Sequence, residues 1–337
     1  MDGGTAERMG IQNTSGSVDG VSPDRSQNQL SRNRRSGHDI NVDPQTLSEE
    51  GIRFDTAHPP NREDAASADD DPPVVSYRTR SESLAMASMG NLLAIIDMGD
   101  CRQQDARQLA LRFAHRRLGG QPLISKMVRR VSEATCVDQV VVTGSCMPQN
   151  LATAGIPGAD VHSCTHSGLI DRLAGAAERF GVEWLLYLPG NRPFVDPVLI
   201  DQLSAFVARN DQCDYAGYGS ETGGWQQVQQ LGLAGEICHL DTLRRLRHNA
   251  DRFHVEDGVS LAECIDMAPG RYDAKFTPLP DALDRDDLRF TIQSESDWDA
   301  AIMLDDSISG DVDPEPMMRF VTSNPTMLNS MQDRNRH

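Results

Sequence analysis

The sequence predicts an α/β domain with a mostly parallel central sheet and helices on both faces. Three observations predict it. Short runs that are apolar throughout alternate with segments of helical periodicity, as strand–helix crossovers require. The runs do not alternate apolar with polar, so both faces of each strand are buried, as in a parallel sheet. Proline and glycine punctuate the intervening segments at helix starts and stops.

Taken in order, Leu92-Leu-Ala-Ile-Ile-Asp97 is apolar until its last residue and predicts a buried strand. Pro122 to Glu133 carries apolar residues at 123, 124, 127, 128 and 131, a helical stripe opened by proline. Gln139-Val-Val-Val-Thr143 is a second strand. Leu169 to Phe180 is a helix stopped by Gly181. Glu183-Trp-Leu-Leu-Tyr-Leu188 is a third strand, running into the loop Pro189-Gly-Asn-Arg-Pro193. Asp196-Pro197 opens a helix to about Ala208, with Asp as N-cap, and Cys213 to Tyr218 is a fourth strand. Beyond it, Gln226–Ala234, Tyr272–Pro278 and Leu288–Ile292 are expected strands. His239–Asn249, Asp257–Ala268 and a segment from Glu295 to about Leu304 are expected helices.

The domain is expected over 86–306. Residues 1–85 carry nine basic and fifteen acidic side chains, so they supply −6 of the net −18. They are rich in Ser, Asp, Asn, Gly and Pro and lack apolar periodicity, so they are expected to be disordered. The tail 307–337 is expected to be disordered as well, although its Met-Met-Arg-Phe offers a docking motif.

Composition narrows the function. A chain of 337 residues with 32 basic and 50 acidic side chains lacks the cationic face of a nucleic-acid binder or of a protein held to an anionic membrane. No apolar run reaches membrane-spanning length, and the N-terminus does not have the pattern of a secretory signal, so a cytoplasmic location is expected. Seven cysteines lie without metal-site spacing and predict small buried hydrophobes rather than ligands or disulfides.

In an open α/β sheet, ligands bind outside the carboxyl ends of the strands. Three such ends draw attention: Asp97-Met-Gly-Asp-Cys-Arg102, Pro189-Gly-Asn-Arg-Pro193 and Gln293-Ser-Glu-Ser-Asp297. With Leu118-Gly-Gly-Gln-Pro-Leu123, Val140-Val-Val-Thr143, Ser167-Gly-Leu-Ile-Asp-Arg-Leu173 and Val182–Asp201, they follow the order of motifs in a known family. Residues 91 to 305 resemble the sugar-nucleotide cytidylyltransferases, in the spore-coat polysaccharide and acylneuraminate branch. The resemblance implies a GT-A-like nucleotidyltransferase fold, CMP transfer from CTP to a sugar in surface-polysaccharide biosynthesis, Mg as cofactor and a homodimer. It implies nucleotide contacts from Met98, Gly99, Arg102 and Gly190.

The match departs where the chemistry lies. The resemblance puts metal-binding aspartates at 191 and 293, where this chain has Asn191 and Gln293, neutral and poor magnesium ligands. Asp97 replaces a phosphate-gripping arginine and is expected to repel a triphosphate, and the family's Pro-Gly-Lys segment has no counterpart. Arg107, Arg112, Arg116 or Arg117 stand as replacements for that lysine. Gly99 and Gly190 are either turn glycines or points of close backbone approach. Asp97 and Asp100 are weaker candidates for replacement metal oxygens. Asp196 is expected to cap a helix and Asp297 to stabilise a first turn. His115, His239 and His254 are expected in surface or core roles, and Arg244-Arg-Leu-Arg247 is expected to be a solvated helix face. Two readings compete: a working transferase with altered metal binding, or a non-catalytic nucleotide- or sugar-binding partner subunit. A GT-A glycosyltransferase ranks third, because no Asp-x-Asp motif follows a strand.

Overall fold

The computed structural model of the protein describes residues 91–100, 113–145, 155–164, 168–221, 223–253, 260–268, 270–308 and 314–336. The expectations for residues 1–85, for Arg102, Arg107 and Arg112, and for His254 lie outside these residues.

Seven strands form the main sheet: β1 (Leu92–Asp100), β4 (Gln139–Ser145), β5 (Asp160–Cys164), β6 (Trp184–Pro189), β7 (Tyr215–Gly219), β8 (Glu236–His239) and β9 (Ala274–Pro278). The order is β5-β4-β1-β6-β8-β7-β9. β8 pairs antiparallel with both β6 and β7, and the other pairings are parallel. A separate two-stranded hairpin joins β2 (Arg117–Leu118) to β3 (Gln121–Pro122), its turn made by Gly119 and Gly120 at φ 60° and 77°. The predicted mostly parallel sheet is present.

β1 is buried on both faces. Its side chains at 92, 94, 96 and 98 enter one apolar cluster, with helices α1 (Leu123–Ser132) and α3 (Pro197–Ala208). Those at 93 and 95 enter a second, with α2 (Leu169–Phe180), α5 (Leu240–Phe253) and α6 (Leu261–Asp266). A strand with period-two side chains and a core on each side must be apolar at every position. Because β4 follows on one side of β1 and β6 on the other, the crossover direction reverses at β1. That reversal opens a crevice beyond its carboxyl end.

Local signals were accurate where side chain and backbone agree. Asp196 caps α3, its Oδ1 accepting from the Val198 N–H at 3.1 Å, and Gly181 ends α2 in the left-handed conformation. Pro122 sits one place earlier than expected, as the N-cap of α1 rather than its first residue.

Three expectations are corrected. Residues 226–234 were expected as a strand but form helix α4 (Gly224–Leu231), with Gln227, Val228 and Leu231 turned inward and Gly232 ending it at φ 72°. Leu288–Ile292 is not a strand of the sheet. Its N–H groups at Phe290 and Ile292 donate to Leu231 and Asn191 carbonyls (3.2 and 2.9 Å), so it bridges a helix end and a loop.

The third correction concerns the tail. After α7 (Glu295–Ser307), the chain forms α8 (Pro314–Thr322) and α9 (Pro325–Asn335). Met317, Val321, Met327 and Met331 are buried in the first apolar cluster, so the domain continues to about residue 335. The tail's few apolar residues recur at helical spacing across two short helices, a pattern too sparse to register against its polar background. Lys126 in α1 forms a buried ion pair with Asp305 in α7, tying this C-terminal layer to the sheet.

Substituting Met317→Ala in a fully buried site is expected to destabilise the fold by about 2–5 kcal/mol. Chemical denaturation measures this directly, and a loose tail would give no change.

Candidate functional site

Two strand ends build the floor of a cavity of about 370 Å³. Asp97, Met98 and Gly99 come from β1, and Pro189, Gly190, Asn191 and Arg192 follow β6. The Gly190 N–H donates to the Asp97 carbonyl at 2.8 Å, which extends the pairing of β1 and β6 into the loops. A Cβ at Gly190 would stand 2.6 Å from the Met98 sulfur and 3.1 Å from the Asp97 carbonyl oxygen. The glycine therefore serves close approach of two protein segments. Gly99 has φ 78°, which favours glycine over any other residue.

The second wall comes from far along the chain. The Ile292 N–H donates to the Asn191 carbonyl at 2.9 Å, so Gln293 stands beside Asn191 although 102 positions separate them (293 minus 191). The sequence-predicted positions Met98, Gly99, Gly190, Asn191 and Gln293 thus line one cavity. Arg102 is not among the described residues.

Asp97 differs from expectation. Its carboxylate is buried and held by Arg172 of α2 through two bonds of 2.8 Å, from Nε to Oδ1 and from Nη2 to Oδ2. A bidentate pair of this kind neutralises the charge and occupies both oxygens. Asp97 is therefore neither a bare repulsive charge nor a replacement metal ligand.

The two amides behave differently from each other. Asn191 Oδ1 is buried without a hydrogen-bond partner among the described residues. Gln293 is exposed, and its Oε1 accepts from Arg289 Nη2 at 2.6 Å. Arg289 is held in turn by Asp297, whose carboxylate also accepts from the Gln293 N–H and Ser294 Oγ and pairs with Arg334 of α9. Asp297 does more than stabilise a first turn, since it anchors the segment that carries Gln293.

Sequence reasoning missed the remaining lining: Leu169, Tyr187, Arg192, Trp225, Gln229, Ser260, Glu263 and Thr291. Leu169 and Arg172 of Ser167–Leu173, Tyr187 of Val182–Asp201 and Arg192 of Pro189–Pro193 lie in motifs the sequence singles out, and that was the available signal. Arg192 is 1% exposed, and its guanidinium donates to the Ala234 carbonyl and to Gln229 Oε1. Gln229 passes the contact on to Glu236, which also accepts from Tyr215 Oη at 2.9 Å. Burial pushes the Glu236 carboxyl above its ordinary range, against the pull of Arg192. Burial, reinforced by Asp97 and Glu236, holds the Tyr187 phenol protonated well beyond neutral pH.

Other candidates lie elsewhere. Arg116 is sandwiched between the Phe113 and Trp298 rings, 4.9 and 4.3 Å from their centroids, and pairs with Glu295. Arg117 reaches the Gly120 carbonyl. Neither lines the cavity. His239 accepts from the Asp241 N–H and packs edge-on to Trp184, while His115 is exposed. Arg244 and Arg247 pair with Glu178, as a solvated face would.

The implied magnesium does not fit these residues. Magnesium takes hard, preferably anionic oxygens. Here the amide oxygen of Gln293 is taken by a cation, both Asp97 oxygens are taken by another, and Glu263 closes the capping box of α6 by accepting from the Ser260 N–H at 2.6 Å. Among the described lining residues, the Asn191 amide oxygen is neutral and buried, and Glu263 is the one carboxylate with an oxygen outside these bonds, a single anionic ligand.

Comparison with known proteins agrees with the fold and the motifs. Residues 114–257 match the MobA-like NTP transferase domain. A 3-deoxy-manno-octulosonate cytidylyltransferase of Geobacter sulfurreducens is 31% identical over 109 residues, covering 31% of this chain. The chain spans 44% of the length of that relative. A cytidylyltransferase structure from Leptospira borgpetersenii superposes with a TM-score of 0.54 at 17% identity, over 71% of this chain and 95% of that one. A manganese complex of Rv0371c from Mycobacterium tuberculosis H37Rv also matches, at 10% identity and a TM-score of 0.43, over 64% of this chain and 99% of that one. The matched domain and the relative make this chain similar to the sugar-nucleotide cytidylyltransferases, and the Leptospira structure shares its fold.

Proposed function

We propose that this chain binds a cytidine nucleotide and a sugar at the β1–β6 crevice, and that metal-dependent CMP transfer has been lost there. It serves sugar-nucleotide metabolism in surface-polysaccharide synthesis as a non-catalytic partner subunit. The observation that carries this reading is the pairing of Asn191 and Gln293 on one wall, where, among the described residues, Asp97 is held through both oxygens by Arg172 and Glu263 through one by the Ser260 N–H. Transfer of CMP requires a sugar oxygen to attack the α-phosphorus while pyrophosphate departs, and negative charge grows on the phosphate oxygens. Fixed cations or metal ions must neutralise that charge. The cations at this wall are instead turned to protein partners: Arg172 to Asp97, Arg289 to Asp297 and Gln293. Arg102, on the segment after β1, is the residue proposed to contact phosphate.

The relative's name, an octulosonate cytidylyltransferase, supports the sugar-nucleotide setting.

Calorimetric titration of the full chain with CTP, with and without magnesium, tests the reading. The affinity is expected to differ by less than about threefold, or about 0.6 kcal/mol, between the two conditions. Strengthening by tenfold or more (about 1.4 kcal/mol) or release of pyrophosphate from CTP and a sugar would overturn it.

The double variant N191D/Q293D restores two carboxylates to the wall. It is expected to make CTP binding magnesium-dependent by about tenfold or more, since each added carboxylate supplies an anionic oxygen. Titration of the variant with the metal alone, then with CTP, reads this out.

A further inference from the structure

Two half-buried side chains in the lining keep chemistry that the fold does not use. We propose that Trp225 and Glu263 form a subsite for a protonated amine, so that the saccharide bound in this crevice is an amino sugar carrying an ammonium group. The inference deepens the proposed binding function and rests on the same cavity.

Glu263 supplies the charge. It sits in the first turn of α6, half-buried and lining the cavity. Its Oε2 accepts from the Ser260 N–H at 2.6 Å, while Ser260 Oγ accepts from the Glu263 N–H at 3.2 Å. Such a capping box needs one oxygen from the acidic residue, and a glutamine closes it equally well. The other oxygen, Oε1, has no hydrogen bond or ion pair among the described residues. Neither lining guanidinium reaches it, since Arg172 holds Asp97 and Arg192 donates to Ala234 and Gln229. The negative charge is therefore surplus to the fold. A hydroxyl would offer this oxygen one hydrogen, whereas an ammonium offers three donors and the opposite charge, the stronger kind of hydrogen bond.

Trp225 supplies the ring. It is the second residue of α4, lines the same cavity of about 370 Å³, and is half-buried against the second apolar cluster. That cluster also holds Leu261 and Ala262, the two residues before Glu263. The face of an indole is the best of the aromatic faces for a cation. It is also large and apolar, which suits the C–H surface of a pyranose. One cavity thus presents both halves of an ammonium site, an electron-rich face and an anionic oxygen.

The nucleotide proposed for this crevice acts in the same direction. A triphosphate, with Arg102 proposed as its contact, brings further negative charge into a space that already contains Glu263. An ammonium beside Glu263 lowers the repulsion between the two anions, so amine and CTP are expected to strengthen each other's binding. A sugar acid adds a third anion and is disfavoured.

The test is calorimetric and saturation-transfer NMR titration of the full chain, at a mildly acidic pH that keeps the amines protonated. The probes are D-glucosamine, D-galactosamine and D-mannosamine, each against its neutral N-acetyl derivative, with D-glucuronate as the anionic control, all with and without CTP. At least one amine is expected to bind about tenfold tighter than its own N-acetyl derivative, and to lose part of that margin as salt is raised. Glu263→Gln, which keeps the cap of α6, is expected to erase the margin. Trp225→Ala is expected to weaken the amine by about tenfold, with Trp225→Phe restoring most of it. An N-acetyl sugar or the uronate binding as tightly as the amines would overturn the inference. So would no amine binding in either condition, a margin undiminished in Glu263→Gln, or native amine affinity in a folded Trp225→Ala. Amine selection without CTP binding would overturn the nucleotide reading alone, and CTP binding without amine selection would overturn this inference alone.

Discussion

The carboxylate of Asp97 ends the central strand inside the protein, and Arg172 is what makes that possible. A buried carboxylate without a partner costs several kcal/mol, and removal of one member of such a pair leaves the other stranded. The pair therefore ties β1 to α2 at the point where the sheet reverses its crossover direction. Everything that lines the crevice is measured from that point. The Gly190 loop docks on the Asp97 backbone, Asn191 follows it, and Ile292 bonds to Asn191 to bring Gln293 alongside.

This arrangement spends charge on architecture. Arg172, Arg289, Arg192 and Lys126 are each directed to a protein partner. A transferase working on a triphosphate needs cations facing its substrate, and the inward-facing cations among the described residues are what the proposed non-catalytic reading rests on. The C-terminal helices contribute to the same end. Arg334 pairs with Asp297, and Asn335 accepts from Arg289, so the last turn of α9 braces the segment that presents Gln293.

Burial of thiols and phenols follows the same logic of neutral interiors. Cys136, Cys164, Cys213, Cys238 and Cys264 form no disulfide among the described residues, and burial with the neighbouring Asp201 pushes the Cys136 thiol up to about 12. Burial raises the Cys213 and Cys238 thiols as well, so these three stay protonated and act as packing groups. Tyr218 keeps its proton in the same way and donates to the Leu199 carbonyl at 2.9 Å.

The α/β class, β1, β4, β6, β7 and β9, and helices α1, α2, α3, α5, α6 and α7 were legible in the chain itself. In these segments the apolar period, the caps and the stops all agree, and local agreement leaves one fold class. Asn191 and Gln293 were legible as paired positions because they occupy fixed places in ordered motifs. Tertiary structure alone decided the rest. Residues 226–234 became a helix because Val228 and Leu231 face the core together, although a run of glutamines gives no periodic signal. The antiparallel β8 is four residues long, too short to announce itself. The tail became two core helices because four apolar side chains, spread over 314–335, find one surface to cover. Asp97 changed from a lone charge to half of an ion pair because its partner lies 75 positions away (172 minus 97). Periodicity and capping act between near neighbours and can be seen in a string of letters; charge pairing and the sharing of a core act across space, and only the folded chain says which groups meet.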